Sequence, residues 1–266
     1  MNERDLPASR RLRAPRRLKC GLTLLYEDRD LIVVDKPAGL LSIAAGRERE
    51  RTAHWILSEY LRAKGEKRRA AAVHRLDRGT SGVMLFAKSE WAKRALMNNW
   101  NEAVAERRYV ALAEGVFAEP EGTIDAPLGE DGGGRVIVMP GGKPALTRWK
   151  ALPLAGFGRR LNPCAGGYTL LSLELETGRR NQIRAHLAWA GHPVAGDAKY
   201  GARSDPLRRL CLHAESLAFR HPADGRLMRF EVPALPELRG QRTGQRLYLG
   251  QNRDADKGIS EAAIRV

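Results

Sequence analysis

Three cysteines in 266 residues, Cys20, Cys164 and Cys211, are odd in number and widely separated, so they make neither a disulfide framework nor a paired zinc knuckle. Among the six histidines no two stand at H-x-x-x-H spacing on a convincing helix, and no bound metal is expected. No apolar run approaches the roughly 18 residues of a membrane-spanning helix, and no basic helix carries a broad aromatic face. The first 20 residues lack an apolar signal core: seven are Lys or Arg and two are acidic, which argues against export and for the cytoplasm. Negative charge is the remaining shortage. With 31 Asp and Glu against 46 Lys and Arg the formal net charge is +15 and the pI about 10.3, an excess that suits a polyanion, with nucleic acid ahead of a membrane surface.

What the chain does have is a concentration of chemistry in one stretch. Between Val73 and Phe86 lie a histidine, two arginines, a carboxylate and two hydroxyls: His74-Arg75-Leu76-Asp77-Arg78-Gly79-Thr80-Ser81-Gly82. Val73–Leu76 and Val83–Phe86 have the composition of short buried strands, which makes Arg75–Gly82 a polar loop at the rim of a core. Asp77 lies between two arginines that favour its ionised form, and such a carboxylate serves as a nucleophile or a base. The alternative is purely structural: Asp77 closes an Asx-turn before Gly79, and Thr80 and Ser81 tie the loop down.

The same nine residues resemble the signature of the pseudouridine synthases, specifically the RluA-type branch that isomerises uridines in ribosomal and transfer RNA. Further segments resemble other motifs of that family in the same order, across about residues 22 to 233. They are Asp35-Lys36-Pro37-Ala38-Gly39-Leu40, Arg107-Arg108-Tyr109, Gly178-Arg179 with Gln182-Ile183-Arg184-Ala185-His186, and Gly191–Asp197 followed by Tyr200-Gly201. Asn181 departs from the pattern, since many relatives have histidine there. The resemblance implies that Asp77 is catalytic, that the Tyr109 ring stacks on the target base, and that Arg184 pairs with the catalytic aspartate. It implies also that Arg75 supports a flipped-out nucleotide and that Leu212 lines the uracil pocket, although core packing explains Leu212 equally well. No cofactor is implied: the reaction breaks N1–C1′, turns the uracil and rejoins it through C5. Asp77 can attack C1′, attack C6 or take a proton from C2′, and the sequence does not choose among these.

Strands outnumber helices and hairpin signals recur, so the expected fold is α+β. The resemblance adds a long mixed, mostly antiparallel sheet with flanking helices and a central RNA-binding cleft. A basic segment at 1–20, a catalytic domain at 21–238 and a polar tail at 239–266 are expected, in a monomer. Leu22–Glu27 and Leu31–Val34 predict a strand pair turning at Asp28-Arg29-Asp30. Pro37 and Gly39 fix the exit of the second strand, and Lys36 is a candidate phosphate contact. The periodicity predicts helices over 52–63, stopped by Gly65, and over 89–101, capped by Ser89, with Trp91, Ala95 and Leu96 on the core side. Lys67 and Arg68, in a basic cluster before His74, are candidate contacts to an RNA backbone. Glu106–Phe117 reads as a buried strand, and Gly132–Gly134 and Gly141-Gly142 as hairpin turns. Tyr168–Glu176 alternates as a half-exposed strand, and Arg226–Val232 as a hairpin partner through Asp224-Gly225. Ile183, Leu187 and Ala190 form a core stripe ended by Gly191. At its edge, Arg184 either reaches solvent or pairs with a buried carboxylate.

Two other classes fit parts of the pattern: an RNA-binding or ribosome-assembly factor that lost activity, and a hydrolase that releases the base. RNA labelled at uracil C5 separates all three, because only isomerisation displaces that hydrogen and keeps the nucleoside.

Overall fold

The computed structural model describes residues 14–46, 48–153 and 167–234, with backbone strands at 247–251 and 264–265. The chain divides into two compact units, one of Met1–Ala105, Leu217–Pro233 and Arg246–Val266, the other of Glu106–Ser216 and Ala234–Gln245.

In the first unit the edge strand β1 (Arg16–Arg17) pairs antiparallel with β2 (Thr23–Glu27), and β2 with β3 (Leu31–Lys36). The expected turn is made by Asp28, whose Oδ1 accepts from the N–H groups of Asp30 and Leu31, both at 2.7 Å. β3 is buried throughout, as its unbroken Leu-Ile-Val-Val run requires of a strand covered on both faces. Helix α1 (Ala53–Ala63) starts where Thr52 Oγ1 accepts from the Trp55 N–H at 3.1 Å, and Gly65, at φ +80°, ends it. The strand expected at Val73–Leu76 is absent. Only β4 (Ala71–Ala72) pairs with β5 (Ser81–Ala87), which lies against β3; the chain bends at Val73 and His74, and the backbone of Leu76 is committed to a side chain, described below.

Ser89 caps α2 (Glu90–Asn98) as expected, its hydroxyl accepting from the Ala92 N–H; a short α3 (Trp100–Ala103) follows. The buried face of α2 differs from the expected one: Ala92 and Leu96 are buried and Trp91 is 54% exposed. A step of one residue turns a helical stripe by about 100°, and Ala92 is small enough for α2 to lie close to its neighbours. The core of this unit joins Leu31, Val33, Leu85, Leu96, Phe219 and Phe230.

The second unit takes over within β6 (Val104–Glu114). With β7 (Glu121–Asp125), β10 (Leu146–Leu152) and β11 (Tyr168–Leu175) it makes the antiparallel order β6-β11-β10-β7. Between β7 and β10, β8 (Leu128–Glu130) and β9 (Val136–Val138) form the expected glycine hairpin. Asp131 Oδ1 accepts from the Gly133 and Arg135 N–H groups, and Gly134 takes φ +72°. Helix α4 (Gln182–Trp189) buries Ile183 and Leu187, but Ala190 is exposed, because the helix ends one residue before it and Gly191, at φ +85°, turns the chain away. Val110, Leu112, Leu171, Leu173, Ile183, Leu187 and Leu212 belong to one core.

β12 (Leu212–Arg220) carries the chain back to the first unit, and the expected hairpin at Asp224-Gly225 leads to β13 (Leu227–Glu231). β14 (Leu247–Gln251) pairs with β13, and β15 (Ile264–Arg265) with β14. Apart from these backbone strands the tail at 239–266 lies outside the described residues, as does residues 1–13 of the basic segment. Among the described residues no helix is long and apolar enough to cross a membrane.

Candidate active site

Asp77 is half-buried in the loop between β4 and β5. Both of its neighbours are held by the segment that leaves β3. On one side, Ser42 Oγ donates to the Leu76 carbonyl at 2.7 Å and accepts from the Leu76 N–H at 3.1 Å. On the other, the Gly39 N–H donates to the Arg78 carbonyl at 2.8 Å, and Arg78 Nε to the Gly39 carbonyl at 3.1 Å. Ser42 is anchored in turn to the start of α1, where the His54 N–H donates to its carbonyl at 3.0 Å. The Asp77 carbonyl accepts from the Thr80 N–H at 3.1 Å and closes the turn over Gly79. A residue whose main chain is fixed at the preceding residue, at the following residue and through its own carbonyl projects its carboxyl from a backbone that is in place before any substrate arrives.

Lys36 is not a phosphate contact. Its side chain is 0% exposed, and its ammonium donates to the carbonyls of Leu40 (2.7 Å), Pro37 (3.0 Å) and Arg78 (3.3 Å). A buried ammonium is tolerated only when its donors are used, and here they join the β3 exit to the Asp77 loop. His74 is structural as well: its Nε2 accepts from the Leu85 N–H at 2.9 Å, which places the proton of the neutral ring on Nδ1. Arg75 and Arg78 are exposed, and Arg78 pairs with Glu48.

The basic cluster before His74 is exposed at Lys67, Arg68 and Arg69. Arg68 donates to the Arg29 carbonyl at 3.1 Å and pairs with Glu66. Glu66 also binds the buried Lys88, which pairs with Glu27. The cluster thus rests on a buried ion network.

In the second unit Tyr109 is half-buried on β6, opposite Leu173, and packs on the core to which Leu212 belongs. Arg107, two residues before it and on the same face, donates to the Glu176 carbonyl at 2.7 Å; burial lowers its pKa, but a guanidinium stays charged in a protein. Leu212 is buried in the core, as the packing alternative expects.

Arg184 on α4 pairs with a buried carboxylate, the second of the two readings open from sequence. Its Nε donates to Asp197 Oδ2 at 2.6 Å and its Nη2 to Oδ1 at 2.7 Å. Its Cζ lies 4.8 Å from the ring centre of Tyr200, and Tyr200 Oη donates to the Val136 carbonyl at 3.0 Å. The motif residues either side of Arg184 dock the helix. Gln182 Nε2 donates to the Leu146 carbonyl and to Thr147 Oγ1, and its Oε1 accepts from the Thr177 hydroxyl and the Arg179 N–H. His186 bridges Thr147 Oγ1 and the Ala126 carbonyl, each at 2.9 Å, and desolvation lowers its pKa so that the ring is neutral. Neutral His186 then donates from Nε2 to the carbonyl and accepts the Thr147 proton at Nδ1.

Of the candidate residues, Asp77, Arg75, Lys67 and Arg68 belong to the first unit, and Tyr109, Arg184 and Leu212 to the second. Sequence reasoning passed over Ser42 and took Asp197 and Tyr200 for loop architecture. The Gly196-Asp197-x-x-Tyr200-Gly201 pattern was visible, but nothing in a linear sequence says what a loop carboxylate faces. Among the described residues no group of three or more His, Cys, Asp or Glu is placed to hold a metal ion.

Comparison with known proteins agrees with these motifs. Residues 30–189 match the family model described as RNA pseudouridylate synthase. A relative from Bacillus subtilis strain 168, named Uncharacterized RNA pseudouridine synthase YhcT, is 36% identical over 214 residues, 80% of this chain and 68% of its own. Ribosomal large subunit pseudouridine synthase D of Nitrosomonas europaea is 37% identical over 227 residues, 81% of this chain and 62% of its own. Among solved structures, human RNA pseudouridylate synthase domain containing 1 superposes with a TM-score of 0.64 at 26% identity, covering 82% of this chain and 86% of that one.

Proposed function

The chain belongs to the RNA pseudouridylate synthase family and is an RNA pseudouridine synthase, and from that premise we propose that it isomerises specific uridines of structured RNA, ribosomal or transfer, with Asp77 as the catalytic carboxylate and no cofactor. The observation that carries the role of Asp77 is the double backbone clamp, Ser42 on Leu76 and Gly39 with Lys36 on Arg78. It fixes one carboxyl-bearing residue between two exposed arginines.

In the reaction the N1–C1′ bond breaks, a C5–C1′ bond forms, the hydrogen at C5 leaves as a proton and N1 takes up a proton, so atoms balance and no electrons are gained or lost. Asp77 acts as nucleophile at C1′ or C6, or as base at C2′. On this reading Arg184 supplies a cation to that carboxylate, and Tyr109 offers a ring face to the uracil. Flipping the base out of its stack costs a few kcal/mol; Arg75 supports the flipped arrangement, and Lys67 and Arg68 bind the RNA backbone. Leu212 lines the uracil pocket from a fixed place in the core. On this reading the enzyme is a cytoplasmic monomer. The ribosomal assignment draws support from the relative named for the large ribosomal subunit.

The test is hydrogen release from RNA labelled at uracil C5. The full chain releases the label and yields rearranged nucleoside, while Asp77→Asn retains the fold and releases none. Full activity in Asp77→Asn overturns the assignment, and free uracil among the products makes the enzyme a hydrolase instead. Mapping pseudouridines in cells with and without the protein then identifies the RNA.

A further inference from the structure

The described Arg184 contacts are more elaborate than docking a helix requires. Helix α4 is already fixed by Gln182 and His186 on Thr147, Leu146 and Ala126, and by Ile183 and Leu187 in the core. A buried ion pair is a poor way to add stability, since an apolar pair of the same shape does as well or better. Yet Asp197 is 2% exposed in its side chain and Arg184 13%, so the carboxylate lies deeper and the guanidinium nearer the surface.

The segment carrying Asp197 is itself tightly set. Gly196 has φ +80°, and a Cβ there would stand 2.1 Å from the Arg209 carbonyl oxygen. The Asp197 N–H donates to the Val194 carbonyl at 3.0 Å, and the Asp197 carbonyl accepts from the Tyr200 N–H at 2.9 Å. That single turn puts a carboxylate on the edge of the guanidinium and the Tyr200 ring face beneath its Cζ. A planar guanidinium held by two hydrogen bonds along its Nε–Nη2 edge, with its centre over an aromatic ring, has its orientation fixed. Its Nη1 edge then points in one direction only.

We propose that Asp197 and Tyr200 are positioning residues of the isomerisation: they set the plane and direction of Arg184 so that its remaining N–H groups meet the reacting system without rearrangement. This rests on the reading above that Arg184 serves the catalytic carboxylate. Neither residue touches the RNA; each acts through Arg184.

A double-mutant cycle on the full-length enzyme, read as single-turnover rate and as half-saturating RNA concentration, tests this. Asp197→Asn keeps the shape and one acceptor but places an amide donor against the guanidinium. The rate falls about tenfold or more, with half-saturation unchanged within about twofold. Arg184→Lys cannot make the bidentate contact, and in that background Asp197→Asn brings no further loss. The same loss in both backgrounds means that Asp197 merely holds its loop, and overturns the proposal. Arg184→Lys at the wild-type rate overturns the reading of Arg184 itself, and this proposal with it. Should Asp197→Asn fail to fold, Tyr200→Leu and Tyr200→Phe decide: the leucine variant, which lacks a ring face, falls about tenfold below the phenylalanine variant, and equal rates in the two overturn the proposal.

Discussion

One hydroxyl, that of Ser42, satisfies both backbone groups of Leu76, donating at 2.7 Å and accepting at 3.1 Å, and Leu76 immediately precedes Asp77. Both residues are buried. Ser42→Ala leaves the N–H and C=O of Leu76 without a partner, at a cost of about 1–3 kcal/mol. The loop then loses one of its two clamps. Urea denaturation is expected to show that loss, and single-turnover kinetics a rate reduced by about tenfold with RNA affinity retained, because a small displacement of a reacting group is expensive. A stability loss without a rate effect means that the clamp does not position Asp77.

Stability should decline with acid in two windows, set by groups in different units. His186 is buried and neutral with its pKa lowered by desolvation from 6.5, so below pH 6.5 the unfolded chain takes up a proton that the folded one does not, and stability falls as the pH drops through that range. Burial of Glu27 works against its ionised form, but hydrogen bonds from Lys64, Lys88 and Tyr60 outweigh it and bring the carboxyl from 4.5 to about 2. Its contribution, roughly 3 kcal/mol, is complete above pH 4.5 and disappears toward pH 2. Denaturation midpoints between pH 8 and 3 follow both steps. Thr147→Val with His186→Phe removes the upper one and Lys88→Met shrinks the lower one; a profile unchanged by these substitutions refutes the assignment.

Gly196 carries its own prediction. A Cβ would meet the Arg209 carbonyl, and φ +80° is strained for any L side chain. Gly196→Ala is expected to cost at least about 2 kcal/mol, since the left-handed conformation alone costs about 1–2. The displaced segment should also carry Asp197 off Arg184. Gly191→Ala is the comparison: φ is +85° but no atom lies within 4 Å of the added Cβ, so it pays only for backbone strain. Equal thermal shifts in the two variants contradict the packing argument.

What could be read from the sequence was local. Gly65, Ser89 and Gly191 each act within a few residues of themselves, through a cap or a turn, and each was legible, whereas the Thr52 cap and the Asp131 turn emerged from the coordinates. The hairpins at Asp28 and Asp224 were legible for the same reason. Val73–Leu76 looked like a strand because its apolar composition was visible, whereas the hydroxyl that takes the Leu76 backbone sits 34 residues away. Lys36 looked like a phosphate contact because a lysine beside a Pro-x-Gly turn is ordinarily exposed; its three carbonyl partners appear only when the loop folds over it. Trp91 and Ala190 show the other limit: periodicity says that a helix has an apolar stripe, but the packing neighbour decides its phase. The candidate residues of the site came from motif resemblance, and their supports, Ser42, Asp197 and Tyr200, came from coordinates.

Lys36 is sealed in the protein and Lys67 is exposed, and salt dependence tests the proposed phosphate contact of Lys67 against the structural role of Lys36. Lys67 is exposed in the basic cluster; if it neutralises a phosphate, Lys67→Ala weakens binding at every sequence and flattens the plot of log affinity against log salt by up to about one unit. Lys36 is sealed in the protein by three carbonyls. Lys36→Met loses charge-assisted hydrogen bonds of about 1.5–3 kcal/mol each, offset in part by relief from burying a charge, so a net destabilisation of about 2 kcal/mol is expected, with no change in the salt slope. Titrations of Asp77→Asn protein with a uridine-containing RNA between 50 and 200 mM salt measure both without turnover. A slope that flattens in Lys36→Met and not in Lys67→Ala reverses the two assignments, because counterion release counts only cations that reach the phosphates.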